Sequence, residues 1–383
     1  MRERALAIWI AGIFNVAAVE FATAEPQIAL DRRFPDLSSR LGRFPLCDLP
    51  TRVAPLEQLR KAAGLGEIWI KRDDESCRLY GGNKPRKLEL LIGRARRRGR
   101  RTLMTFGGLG THHGLATTIC AQEAGLRTIL VLVPQPLTEH VREAMLLDAA
   151  FGAEMHAVGS VAGAVRRGLW LYARGFLQRD WPELVPTGGT SALGTIGYVN
   201  AALELAEQVA AGELPEPDWI FVPLGSGGTV AGLVAGLKLT PLRTRVAGVL
   251  VTDILPPGPV RLASTARSAL RLMRARGADL DGPVAVDSGD FFVIRSHLGS
   301  GYGAPTEEAE AARRLLFDSE GIELETTYSA KCLAALLAAA GSPEYRGKRI
   351  LFWNTYSSVD PKQALPRLPD HGVLPREFRR FFE

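Results

Sequence analysis

The chain has 383 residues, 46% hydrophobic and 23% charged, with a mean hydropathy of +0.03, a composition that excludes both a disordered polymer and a membrane-embedded bundle. Its net charge of +6 and pI of about 9.3 raise the question of nucleic acid. The four cysteines, Cys47, Cys77, Cys120 and Cys332, lie too far apart for a metal-ligand spacing or a disulfide framework.

At the N-terminus, Arg2 and Arg4 precede the apolar stretch Ala5–Val19 and the small residues Ala22-Thr23-Ala24. This is the outline of a secretory signal peptide over 1–24, too short for a transmembrane helix. The other reading is an extension ahead of a cytoplasmic protein, which the lack of paired cysteines favours.

Glu67–Ile70 alternates into Lys71 and Arg72 and predicts a short strand. Gly81 and Gly82 then permit a tight turn and a close approach to a ligand. Pro85 disfavours helical geometry at the residue before it, which places Lys84 just outside a helix opening at Pro85. That helix is predicted over Arg86–Arg98, with Leu88, Leu91, Ile92 and Ala95 on one face. Burial at the positive end of a helix favours the neutral amine of Lys84, the form that attacks an aldehyde. Arg94, Arg96, Arg97, Arg98, Arg100 and Arg101 cluster around Gly99. Cations complement a helix C-terminus, and without interleaved aromatics the run reads as a solvated helix end, with no nucleic-acid partner.

Beyond it the pattern alternates. Strands are predicted at Thr102–Phe106, Thr128–Val133, Glu154–Val158, Trp219–Val222, Val246–Val251 and Arg349–Trp353. Helices are predicted at His112–Ala124, Glu139–Phe151, Val161–Gln178, Ala192–Ala211, Val230–Leu239, Thr306–Glu320 and Ser329–Ala340. Such alternation implies an α/β fold of parallel sheets with helices on both faces and a site at the carboxyl ends of the strands. The adjacent His112 and His113 are poorly placed to share a metal, and no metal is expected. Between the Trp219 strand and the next helix lies Gly225-Ser226-Gly227-Gly228-Thr229. Its glycines turn several N–H groups outward and its hydroxyls add donors, which suits a phosphate dianion. A tight structural turn is the alternative. A lysine for a Schiff base and a loop for a phosphate are what pyridoxal 5'-phosphate requires of a protein.

With both motifs in view, the chain resembles the fold type II pyridoxal-phosphate enzymes, and within them the branch of D-cysteine desulfhydrase and 1-aminocyclopropane-1-carboxylate (ACC) deaminase. The resemblance runs from about Phe44 to about Thr355 and rests on Gly81-Gly82-Asn83-Lys84-x-Arg86-Lys87-Leu88-Glu89, the Gly188–Tyr198 segment, Gly301-Tyr302-Gly303-Ala304-Pro305 and Thr327-Tyr328-Ser329-Ala330-Lys331. It implies a two-lobed architecture. Residues 87–188 form a small lobe inserted into a large one of 25–86 plus 189–383, with the cofactor between them and a homodimer as the assembly. Lys84 would carry the cofactor next to Asn83, Gly225, Ser226, Gly227, Gly228 and Thr229 would hold its phosphate, and Tyr302 and Tyr328 would lie near substrate and ring.

Departures fall on the substrate side. Where relatives open a helix with Ser-Asn-His or Ser-Asn-Gln, this chain has Thr111-His112-His113. Thr111 retains a hydroxyl toward the substrate, and His112 stands where an asparagine bonds the cofactor's phenolic oxygen. Asn354-Thr355-Tyr356-Ser357 also differs from the usual threonine–glycine pair. Ser329 takes the place of the carboxylate that ring-opening relatives hold against the pyridine nitrogen, and a hydroxyl there makes a weaker electron sink. The expected activity is β-elimination from a small amino acid, of D-cysteine desulfhydrase type. It would release pyruvate, ammonia and sulfide through aminoacrylate. The alternatives are ACC deaminase, a racemase or β-replacement enzyme, and a cofactor-binding protein that has lost catalysis.

Overall fold

The computed structural model describes residues 27–382, so the 1–24 segment lies outside the described residues. The strands are β1 (Val53–Pro55), β2 (Ile68–Lys71), β3 (Thr102–Gly108), β4 (Arg127–Val133), β5 (Glu154–Ala157), β6 (Glu183–Leu184), β7 (Trp219–Leu224), β8 (Arg245–Leu250), β9 (Phe292–Ile294) and β10 (Ile350–Trp353). They form a six-stranded sheet in the order β1-β2-β10-β7-β8-β9 and a four-stranded sheet in the order β5-β4-β3-β6. All pairings are parallel except β1 with β2, an antiparallel edge that the expectation of parallel sheets did not include. The fold is α/β.

The central strands are apolar on both faces because helices cover both. Every residue of β7 and β10 is buried, as a parallel sheet requires. The helix Gly228–Leu237 is also buried throughout. It can approach the helix Ala192–Ala210 closely because it carries glycine at the contact: a Cβ on Gly232 would fall 2.4 Å from the Cβ of Tyr198, and one on Gly236 would fall 2.6 Å from that of Ala202. The predicted helices form within one or two residues of their expected ends. The Lys84–Arg97 helix differs in one instructive way. Asn83 is its N-cap and Lys84 its first residue, so the helix opens before Pro85. Proline is tolerated in the first turn because its missing N–H would have no partner inside the helix.

That helix is anchored by a buried ionic network. Arg86 donates to Asp73 (2.8 Å) and to both oxygens of Glu204 (2.9 and 3.0 Å). Lys71 donates to Glu204 at 2.6 Å, while Tyr198 and Trp353 donate to Asp73 at 2.6 and 2.7 Å. Burial alone would push the Glu204 carboxyl up, but Arg86 and Lys71 outweigh it and hold it at about 2. The arginine run at the far end of the helix is also engaged internally. Arg94 and Arg98 meet Glu183 at 2.7 and 3.0 Å, Arg97 donates to the carbonyl of Arg40, and Arg96 and Arg100 lie over the rings of Phe44 and Trp181.

Replacing Arg86 with methionine leaves two buried carboxylates short of a cation. The expected cost is about 3–5 kcal/mol of unfolding free energy, to be read from chemical denaturation of the variant beside the parent. A loss within experimental error would show that the network does not anchor the fold.

Candidate active site

The carboxyl ends of strands from both sheets face one cleft of about 820 Å³, lined by Gly107 and Gly108 of β3, Val133 of β4, Leu184 of β6, and residues just beyond β7, β8 and β10. Lys84 enters it from the start of its helix, its amine donating to Asn83 Oδ1 at 2.5 Å and lying 5.8 Å from the centre of the Tyr328 ring. Burial holds that amine down at about 8, with Glu325 pulling the other way. Gly81 and Gly82 permit this placement. A Cβ on Gly81 would fall 1.8 Å from the carbonyl oxygen of Asp74, and Gly82, at φ +85°, packs against the backbone of Thr355.

The glycine loop is set beside Lys84 by direct contact: Asn83 donates to the Thr229 hydroxyl at 3.1 Å, and a Cβ on Gly225 would press on the Tyr328 ring at 3.2 Å. Among the described residues, the backbone N–H groups of Gly225, Ser226 and Gly227 have no acceptor in the protein. The N–H of Gly228 is taken by the Thr190 hydroxyl (3.1 Å), which also meets the Ser226 hydroxyl at 2.7 Å. Lys87, three residues after Lys84 and on the same face of the helix, lies 3.3 Å from where a Cβ on Gly228 would be. Its ammonium is buried, donates to the Gly188 carbonyl at 3.1 Å and has no carboxylate partner among the described residues. Burial first, and then the charge of Lys84, drive its pKa well down. Free N–H groups around a buried lysine without a carboxylate partner are a site for a phosphate dianion, which would restore that lysine's charge, so the residues present fit pyridoxal phosphate.

The two tyrosines meet across the cleft. Tyr328 donates to the Tyr302 oxygen at 2.8 Å, with ring centres 5.8 Å apart. Thr111 caps the helix His112–Glu123, its hydroxyl accepting the Gly114 N–H, and the residue lines the cleft. His112 and His113 point apart, the first bonding Tyr80 at 2.9 Å and the second Thr105 at 3.0 Å. Among the described residues no three metal-ligating side chains gather. Of the expected residues, Gly228 and Ser329 have no surface on the cleft wall. The Ser329 hydroxyl is buried against Glu325, donating to its carboxylate at 2.9 Å. Glu325 does line the cleft, accepting the N–H groups of Thr327, Tyr328 and Ser329 (2.7, 3.0 and 2.6 Å) at the start of the helix Ser329–Ala340. Sequence reading missed Glu325, Lys87, Thr190 and Tyr80. A carboxylate four residues before a helix start and the Lys84–Lys87 spacing are the signals by which the first two could have been found.

The family described as pyridoxal-phosphate dependent enzyme matches residues 46–355. The chain belongs to that family. This pyridoxal-phosphate enzyme is 33% identical over 328 residues to a D-cysteine desulfhydrase of Serratia proteamaculans, covering 84% of this chain and 96% of that protein. It is 32% identical over 327 residues to the D-cysteine desulfhydrase of Klebsiella pneumoniae, covering 82% of this chain and 94% of that one. Among solved structures, an ACC deaminase homologue aligns with a TM-score of 0.72 at 29% identity, over 84% of this chain and 94% of that chain. The processed form of threonine deaminase isoform 2 from Solanum lycopersicum shares the fold, with a TM-score of 0.55 at 16% identity over 84% and 86% of the two chains.

Two outcomes follow from the electrostatics. If Lys84 carries the cofactor, capture of pyridoxal phosphate by the apoprotein, followed by absorbance, quickens as pH rises toward about 8 and levels off above it, because the neutral amine is the reactive form. A rate independent of pH through that range would contradict the assignment. Lys87→Met weakens inorganic phosphate binding to the apoprotein by about 10- to 100-fold, the loss of a charged hydrogen-bond donor, measured by calorimetry.

Proposed function

We propose that this enzyme removes the β-substituent of a small amino acid, with D-cysteine the leading substrate, to give pyruvate, ammonia and sulfide. The observation that carries the reading is the convergence in one cleft of the Lys84 amine, a cradle with the buried Lys87, and a hydrogen-bonded tyrosine pair. The names of the relatives that match across most of both chains support the substrate. When bound, pyridoxal phosphate supplies the electron sink that makes an amino acid's Cα proton acidic. Asn83, Gly225, Ser226, Gly227 and Thr229, with Lys87, would hold the phosphate end, while Gly228, whose N–H is taken by Thr190, would only shape the turn. Lys84, neutral above about pH 8, takes the Cα proton. Tyr328 donates to Tyr302, which leaves the Tyr302 hydroxyl proton free to bind the substrate. Thr111 and His112 border the same space and orient it. Ser329 acts from beneath, by holding Glu325 in place.

Among the described residues no helix is long and apolar enough to cross a membrane, and all four cysteines are free. The free cysteines suit a reducing compartment such as the cytoplasm, and the reading of a homodimer rests on the family resemblance alone.

A second reading, opening of the ACC ring, is favoured by the structural likeness to the ACC deaminase homologue. The holoenzyme incubated with D-cysteine and, separately, with ACC distinguishes them. Pyruvate and sulfide from D-cysteine are expected, abolished together with the visible absorbance in Lys84→Ala. Release of 2-oxobutanoate from ACC without pyruvate from D-cysteine would replace the first reading with the second.

A further inference from the structure

His112 is tied into a chain of contacts that leads out of the cleft. His112 is the first residue of its helix and lines the cleft. Its Nδ1 meets the Tyr80 hydroxyl at 2.9 Å, and Tyr80, buried just before Gly81, lines the cleft as well. Its Nε2 meets Nε2 of His140 at 3.2 Å, with ring centres 4.9 Å apart. His140 lies in the first turn of the helix Glu139–Ala150 and is exposed to solvent. Two imidazole nitrogens at that distance require a proton between them, since two bare lone pairs would repel. Tyr356 packs edge-on against His112 at 5.6 Å between ring centres and limits its rotation.

We propose that Tyr80, His112 and His140 form a proton relay between the cleft and solvent. The proposal rests on the lyase reading above, in which one proton leaves Cα and another must reach the departing sulfur. In the inward step, solvent protonates His140 Nδ1 and the His140 Nε2 proton passes to His112 Nε2. The His112 Nδ1 proton then passes to the Tyr80 oxygen as the Tyr80 hydroxyl proton goes to the leaving group, whose bond to Cβ breaks with both electrons remaining on sulfur. One proton has entered, and both rings have exchanged tautomers. In the outward step a proton from the cleft reaches the Tyr80 oxygen, the Tyr80 proton passes to His112 Nδ1, the His112 Nε2 proton passes to His140 Nε2, and His140 Nδ1 releases one to solvent. This restores the first arrangement. Burial, and then His140 and Lys84, push the His112 pKa down to about 3, so it conducts as a neutral ring exchanging one proton for another rather than storing charge.

His140→Phe keeps an aromatic ring beside His112 and removes only the nitrogens. With D-cysteine, kcat is expected to fall about 100-fold with KM unchanged, to acquire a larger solvent deuterium isotope effect, and to recover when imidazole is added. A variant with the parent's kcat and isotope effect overturns the relay. The second measurement does not need turnover: nitrogen-15 NMR of histidine-labelled protein should show an Nε2 proton shared by His112 and His140, coupled to both nitrogens and exchanging with solvent through His140, that disappears in His140→Phe. Two independent rings in that spectrum overturn the relay as well. If the shared proton is present but the parent converts no D-cysteine, the substrate reading fails while the relay stands.

Discussion

Arg86 is the residue on which the rest of the site depends. It sits two positions after Lys84 and is held by Asp73, at the end of β2, and by Glu204 of the helix Ala192–Ala210. Two cations and two carboxylates balance in a place without water, with Thr51, Tyr198 and Trp353 filling the remaining hydrogen-bond positions. Such a network adds little net stability over apolar packing, but it is unforgiving of a missing member. Its value here is geometric. It fixes the start of one helix against the six-stranded sheet and so determines where the Lys84 amine points.

With that helix fixed, the electrostatics of the cleft follow. Lys84 and Lys87 project from one helical face into the cleft; burial lowers the preference of both for charge, and the charge of Lys84 lowers that of Lys87 further. A dianion at the glycine loop would relieve Lys87 directly, while Lys84 keeps the neutral amine that chemistry at an aldehyde requires. The two lysines therefore divide the work by position: one faces the loop, the other faces Asn83 and the tyrosine pair.

Much of this was legible in the sequence because it is local. The Lys84 turn, the glycine loop and the alternation of strands and helices each declare themselves within a dozen residues, and the helix Ser329–Ala340 forms with the predicted bounds. What escaped was short or non-local. β6, β9 and β1 span two or three residues, too few to show a period, and β1 ends in a proline that suits its place at the edge of the sheet. The helix Pro259–Ala275 buries one face of Leu262, Ala263, Ala266, Ala269, Leu270 and Met273, an amphipathic pattern that the sequence reading passed over. Ser329 was read as facing the cofactor because it follows Tyr328, yet it is the first residue of a helix whose N-terminus Glu325 caps, and that capping turns the hydroxyl inward. The meeting of Tyr80, His112 and His140 joins a loop and two helices, a contact that no local pattern encodes.

Reduction of the holoenzyme with borohydride, followed by digestion and peptide mass spectrometry, tests the central claim most directly. The account predicts a phosphopyridoxyl mass on Lys84 and none on Lys87, since only Lys84 faces away from the phosphate cradle. Modification of Lys87, or of neither lysine, would contradict it.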